Sequence, residues 1–371
     1  MKITRVEALS VAPPTEQFTW SEDLPDQYAT HTIVRIETDR GVEGIGGVWN
    51  ATSYDFERYT AEAIRHLAPV LIGRDPLQRE ELRYALRPRV FPLPPQSLAA
   101  IDIALWDLAG KVAELPLYVL LGGARTRIPA YASTPLFEDV DAYLESATAF
   151  IAEGYRAIKF HTWCIPEQDL ALARAVRKRF PSGEIAFMLD AENNYQRDDA
   201  LRVARELEAM GFTWFEAPLH DSDLDGYRYL TERVSIPILP SGNWFQDLPS
   251  FSHAVQSKAW GRSRTDVAAM GGLSPALRAV HLSESAGLKC EIMSWGYTLV
   301  AAANLHLMLA TNSCTYFEQS MPTTAYNYGV HNPLVAHADG YVYPPDQPGL
   351  GISVDWNAMR EATIHRVVSE T

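Results

Sequence analysis

The chain has 371 residues, an ordinary apolar content and a formal net charge of −14. That length exceeds one small core and suits a large domain or a barrel with an accessory domain, and no apolar run reaches the roughly 18 to 20 residues of a membrane span. The acidic balance argues against nucleic acid as a partner, because phosphate binding demands a basic face.

The opening "MKITRVEALSV" alternates like an edge strand and has neither the apolar core nor the cleavage site of a signal peptide, so a soluble cytoplasmic protein is expected. "HTIVRIETDRGVEGIGGVW" then reads as a hairpin, with alternating β-branched residues on either side of a "DRG" turn. Helical periodicity follows in "SYDFERYTAEAIRHLAPVLI" and "SLAAIDIALWDLAGKVAELPLYVLLGG". Strands followed by helices suggest an α+β domain over 1–125.

From about Ile128 the texture changes. Short apolar runs alternate with amphipathic helices: "IPAYAS", "AIKFH", "AFMLD", "TWFEA", "PILPSGN", "SRTDV", "CEIMSW" and "TYFEQ". Lys159, Leu189, Phe215 and Leu239 are spaced by roughly 24 to 30 residues, the length of one βα unit. Eight such runs predict an α/β fold, a (β/α)8 barrel of the TIM type over 126–325. A doubly wound open sheet is the competitor, but no glycine-rich fingerprint follows the first strand.

Chemistry in such barrels sits at the C-terminal ends of the strands. The polar residues there are Lys159, His161, Asp190, Glu216, Asn243, Asp266, Ser294 and Glu318. In "YRAIKFHTW", Lys159 and His161 are two apart and so project to one side of an extended strand. Asp190, Glu216 and Asn243 end three consecutive strands and offer hard oxygen ligands suited to Mg²⁺. Such an ion could hold a substrate carboxylate and stabilise the dianion left when the α-proton departs. Lys159 is then expected to depress the pKa of His161, leaving a neutral imidazole as the base. Cys164, Cys290 and Cys314 have no zinc or dithiol spacing and read as three reduced thiols, Cys164 lying just past the opening motif.

Several stretches together resemble the mandelate racemase and muconate lactonizing branch of the enolase superfamily: "AIDIALWDLAGK" with "LLGG", "MLDAENNY", "WFEAP", "SGNW", "RTDVAAMGGLSPALR" and "PGLGI". The likeness implies a modified barrel under an α+β capping domain built from both chain ends, with 326–371 returning to the cap. It also implies Mg²⁺-assisted removal of a proton α to a carboxylate, a small-molecule carboxylate substrate and a homo-oligomer.

Asp190, Glu216 and Asn243 fall on the metal-ligand positions, with Asn243 in place of the usual glutamate, as in the glucarate dehydratase group. Lys159 matches the first lysine of the family's "KxK", and His161 replaces the second, usually the base. Asp266 matches the aspartate of an Asp–His dyad, but Met293 or Ser294 stands where the histidine belongs, which leaves Asp266 either a remnant of the dyad or a group that orients another such as Tyr297. Glu318 matches an acid that donates to a substrate carboxylate oxygen, which requires a raised pKa. Glu192 stands where asparagine is common.

Trp20 and Trp49 lie in loops resembling the substrate-covering loops of the family. Phe91, Trp163, Trp244, Trp295 and Tyr297 supply further aromatics around the mouth. His331 either contacts substrate or belongs to the returning tail. With one base and no dyad histidine, dehydration of a hydroxy or sugar acid to a 2-keto acid is the first expectation. Epimerase, racemase or cycloisomerase chemistry and a non-catalytic carboxylate binder are the alternatives.

Overall fold

The computed structural model describes residues 1–15, 19, 30–49 and 56–371. Three strands open the chain: β1 (Ile3–Val11), β2 (His31–Thr38) and β3 (Glu43–Trp49). The predicted hairpin is β2–β3, paired antiparallel with Ile36 opposite Gly44 and Glu37 opposite Glu43. The far end of the chain joins this sheet, because β13 (Thr363–Glu370) runs antiparallel to β1 and sets the order β13-β1-β2-β3. The helix Pro95–Ala113 covers the inner face, burying Ile101, Ala104, Leu105 and Leu108.

Eight parallel strands follow: β4 (Ile128–Ser133), β5 (Ala157–His161), β6 (Ala186–Asp190), β7 (Trp214–Glu216), β8 (Ile238–Leu239), β9 (Ser263–Thr265), β10 (Cys290–Ile292) and β11 (Phe317–Ser320). They form the ladder β11-β4-β5-β6-β7-β8 and the pair β9-β10. Lone contacts join the two pieces. Gly261 N–H donates to Ile238 O at 3.1 Å, and Ser294 Oγ both donates to Glu318 O and accepts from Glu318 N at 2.9 Å. The short strand β12 (Tyr341–Val342) pairs antiparallel with the start of β4.

A helix follows each of β4 to β10 and shields the sheet, as βαβ crossovers require, while β11 leads into a short 3-10 turn and the tail. No helix among the described residues is long and apolar enough to cross a membrane.

Two of the motifs quoted above form the seam between cap and barrel. Asp102 accepts from Ser274 N at 2.9 Å and Ser274 Oγ at 2.8 Å, capping the helix Leu273–Ser285, while Trp106 Nε1 donates to the same hydroxyl at 2.9 Å. Asp107 does the same for the late "PGLGI" segment. It accepts from Ile45 N and Leu350 N, both at 2.8 Å, and pairs with Lys111 at 2.7 Å. Buried carboxylates satisfied in this way fix register as well as contributing energy.

Candidate active site

The register of the barrel strands brings the charged residues together. His161 pairs with Asp190 across β5–β6, and Asp190 with Glu216 across β6–β7. These side chains open into one cavity of about 490 Å³, which Lys159, Glu192, Asn243, Arg264, Asp266 and Glu318 also line.

Lys159 is the hub. Its Nζ lies 2.9 Å from Asp190 Oδ2, 2.8 Å from Glu216 Oε1 and 2.9 Å from Glu318 Oε1, which engages all three of its protons. Burial disfavours the charge, but Asp190, Glu216 and Glu318 outweigh it and hold the ammonium protonated. Arg264 adds a second buried cation: Nη2 is 2.9 Å from both Glu216 Oε1 and Glu318 Oε2, and Nε donates to Ser241 O at 3.2 Å.

Glu318 therefore differs from expectation. Burial pushes its carboxyl up, but Lys159 and Arg264 bring it down to about 2, so it is an acceptor and not a proton donor. Ser133 Oγ donates to it at 3.0 Å.

His161 also departs from the expected neutral state. Burial and Lys159 lower its pKa, yet hydrogen bonds to Asp190 and Glu192 and the charge of Asp190 push it up to about 9. Lys159 fails to dominate because the carboxylates neutralise it. The ring is fixed at its other nitrogen, Nδ1 lying 2.6 Å from Thr134 O, and its backbone is held by Thr134 Oγ1 at 3.2 Å and Tyr143 OH at 2.5 Å.

Two tight turns present the remaining polar groups. After β6, Glu192 (φ 47°) and Asn193 (φ 66°) are left-handed, and Glu192 N–H donates to Asp190 Oδ1 at 3.1 Å. This curls Glu192 back towards His161. After β8, the buried Asp221 accepts from Ser241 N at 2.7 Å, Ser241 Oγ at 2.8 Å and Gly242 N at 3.0 Å, shaping the turn that carries Asn243. Gly242 (φ 81°) lets the Arg264 stem pass, since a β-carbon there would lie 3.0 Å from Arg264 Cγ.

The opposite side of the cavity is carbon. Ala268, Ala269, Met293 and Trp49 line it, with the more exposed Trp244 at the mouth. Trp295 meets His161 edge-on at 5.2 Å and donates through Nε1 to Tyr326 OH at 2.9 Å. Asp266 reaches the cavity, but its oxygens accept from Asn304 Nδ2 at 2.7 Å and Ala269 N at 3.1 Å. Burial raises its pKa.

Asp266 therefore pairs with Asn304 and does not orient Tyr297. Tyr297 stacks on His31 at 3.6 Å with its hydroxyl 4.0 Å from Met359 Sδ, and Ser294 bridges to the backbone of Glu318; neither lines the cavity, although substrate contacts were expected from Ser294 among the polar strand ends and from Tyr297 among the aromatics at the mouth. Phe91 is exposed away from it and Trp163 packs edge-on against Tyr143. His331 is tied to the tail by its N–H to Ser353 O at 3.0 Å. Trp20 lies outside the described residues.

Sequence reasoning missed Arg264, although it stands two residues before Asp266. The alternation rule that paired Lys159 with His161 identifies Arg264 as well. Asp221, in the loop five residues past the end of β7, left no comparable signal.

Asp190, Glu216 and Asn243 suit Mg²⁺ by donor chemistry. All three offer oxygen to one cavity, and five carboxylates (Asp190, Glu192, Glu216, Asp266 and Glu318) face only two fixed cations there, Lys159 and Arg264. Burial together with Asp190 and Glu318 pushes Glu216 up to about 8 despite both cations, which marks a place short of positive charge.

A capped (β/α) barrel with acids and a base on its C-terminal rim defines an enzyme of the enolase type. Residues 142–358 match the enolase C-terminal domain-like model and residues 15–122 the mandelate racemase/muconate lactonizing enzyme N-terminal domain. The chain belongs to the mandelate racemase/muconate lactonizing enzyme family of the enolase superfamily.

A Pseudovibrio sp. structure assigned to that family is 36% identical with a TM-score of 0.97, covering 100% of this chain and 99% of that one. D-glucarate dehydratase from Agrobacterium tumefaciens, solved with magnesium, is 28% identical with a TM-score of 0.83 over 98% and 100%. N-succinyl-L-Arg/Lys racemase from Bacillus cereus is 26% identical over 98% of each chain. Relatives thus include both lyases and isomerases.

Proposed function

We propose that this enzyme removes the proton α to a carboxylate from a hydroxy or sugar acid, with His161 as its single base, and eliminates water to give a 2-keto acid. The observation that carries the reading is the asymmetry of the cavity: an imidazole fixed through Nδ1 on one side, and on the other alanine, methionine and an aspartate tied to Asn304.

Asp190, Glu216 and Asn243 would hold Mg²⁺. Bound there, the ion supplies Lewis-acid stabilisation of the enolic dianion. With a divalent ion offsetting the carboxylate charge of Asp190, which otherwise helps to hold Nε2 protonated, His161 would be neutral and accept the α-proton at Nε2, its other nitrogen keeping the ring in place through Thr134 O. The imidazolium then returns that proton to the departing β-hydroxyl, so water leaves, the neutral base is restored and the enol becomes the keto acid. Lys159 and Arg264 stay protonated and keep Glu318 an acceptor for a substrate hydroxyl. The partner is a small carboxylate, and assembly as a homo-oligomer belongs to the same proposal.

The test is a panel of hydroxy and sugar acids with Mg²⁺ in deuterated buffer, following keto-acid formation and α-proton exchange for the native enzyme and His161→Asn. Keto acid that falls by roughly 10²- to 10⁴-fold in the variant is the expected result. Exchange or inversion without loss of water would replace dehydration by racemase or epimerase chemistry, and unchanged turnover in the variant would move the base elsewhere.

A further inference from the structure

His161 is bracketed by oxygens. Nδ1 meets the carbonyl of Thr134 at 2.6 Å, and a carbonyl can only accept, so that nitrogen carries a proton. Nε2 faces Glu192 Oε1 at 3.2 Å and Asp190 Oδ2 at 3.4 Å. Both side chains of the inner pair are 4% exposed and that of Glu192 is 22% exposed, so water does little to relieve a lone pair aimed at two carboxylates. Positive charge belongs in that gap, as a second ring proton or as a cation. One ligand atom from each of the three side chains lies within 4.8 Å of the others.

We propose that His161, Asp190 and Glu192 form a second cation site, selective for a borderline divalent ion of the Zn²⁺ kind and sharing Asp190 with the hard-oxygen set. One imidazole nitrogen with two carboxylates is a donor set that Zn²⁺ accepts with positions left open, whereas Mg²⁺ prefers oxygen alone. The support of the ring fits as well: a metal-bound histidine typically donates its other N–H to a carbonyl or carboxylate, the part that Thr134 O takes here. The left-handed turn at Glu192, pinned to Asp190 Oδ1, supplies the third ligand from two residues along the chain.

The consequence rests on the proposed role of His161. An ion on Nε2 occupies the lone pair that takes the α-proton, so Zn²⁺ turns the enzyme off and competes with Mg²⁺ through Asp190.

Cobalt(II) probes the site without reference to turnover. Metal-free full-length protein, labelled with ¹⁵N-histidine, is titrated with Co²⁺ and followed by visible absorption, proton release and electron–nuclear double resonance. The expected result is one bound Co²⁺ coupled to an imidazole nitrogen, releasing protons, displaced by Zn²⁺ and weakened roughly tenfold or more in Glu192→Gln but not in Asn243→Ala. The native-protein resonance measurement stands even if a variant fails to fold. Co²⁺ bound without nitrogen coupling, or lost in Asn243→Ala and kept in Glu192→Gln, overturns the proposal, as does a folded protein that binds no Co²⁺. Failure of the dehydratase reading leaves the resonance result untouched and removes only the expected Zn²⁺ inhibition.

Discussion

The two sides of the cavity are built from the same fold by opposite means. On the β5–β7 side, strand alternation delivers Lys159, His161, Asp190 and Glu216 fully buried, each polar atom answered by another within 3.4 Å. On the β9–β10 side, the chain offers Ala268, Ala269 and Met293, and its one acid, Asp266, is spent on Asn304 and a backbone amide. The first side holds an imidazole fixed at one nitrogen and the second an aspartate already engaged, and the proposal of a single base rests on that asymmetry.

The comparison breaks most visibly at Lys159. Lys159→Met leaves Asp190, Glu216 and Glu318 buried without their shared ammonium, and a destabilisation of about 3–5 kcal/mol is expected, read as a fall in denaturant midpoint. Mg²⁺ should recover part of it by bringing charge back to Asp190 and Glu216. An unchanged midpoint would mean that Lys159 does not carry the network.

A smaller effect separates the sides by pH. The folded pKa of His161, about 9, is raised above its ordinary value near 6.5. Its contribution is therefore complete below about pH 6.5 and is lost as pH rises through 9, a change on the order of 2 kcal/mol in the metal-free protein. Denaturant midpoints at pH 6 and pH 9.5 should differ in that sense for the native chain and much less for His161→Asn; equal differences would assign the loss to other groups. Histidine His306 behaves in the opposite sense. Burial lowers it to about 4, and it receives Tyr118 N–H at 3.1 Å, so its stabilisation is present above pH 6.5 and fades as pH falls through 4.

The smallest effect is expected on the carbon side. With His161 as the single base, Met293→Ala should change the rate of α-proton exchange by less than about fivefold, since that proposal routes no proton past this side. A loss comparable with that of His161→Asn, measured in the same exchange assay, would reveal a proton carrier hidden on that side.

The barrel was legible because eight apolar runs recur at nearly equal intervals, and the acidic rim because each strand ends on a polar residue. Protonation states were not legible. Lys159 and His161 are neighbours in sequence, but Asp190, Glu216, Glu318 and Glu192, which decide their charges, arrive from three other strands and the turn after one of them. The aromatics mislead for a related reason. Trp295 lines the cavity while Tyr297, two residues on, turns into the cap to stack on His31; both lie past β10, which ends at Ile292. Alternation holds within a strand and lapses at its end, where Gly296 (φ 118°) redirects the chain.

That glycine has an evolutionary consequence. A β-carbon at Gly296 would sit 2.0 Å from Nε1 of Trp49, a residue of the cap, so the indole occupies the space that a side chain on the barrel would need. Position 296 can take a side chain only if position 49 gives up its indole, whereas position 49 can shrink alone. A chimera that kept this cap, with Trp49, on a barrel carrying a side chain at 296 would clash at this contact, so the cap restricts which barrels it can close.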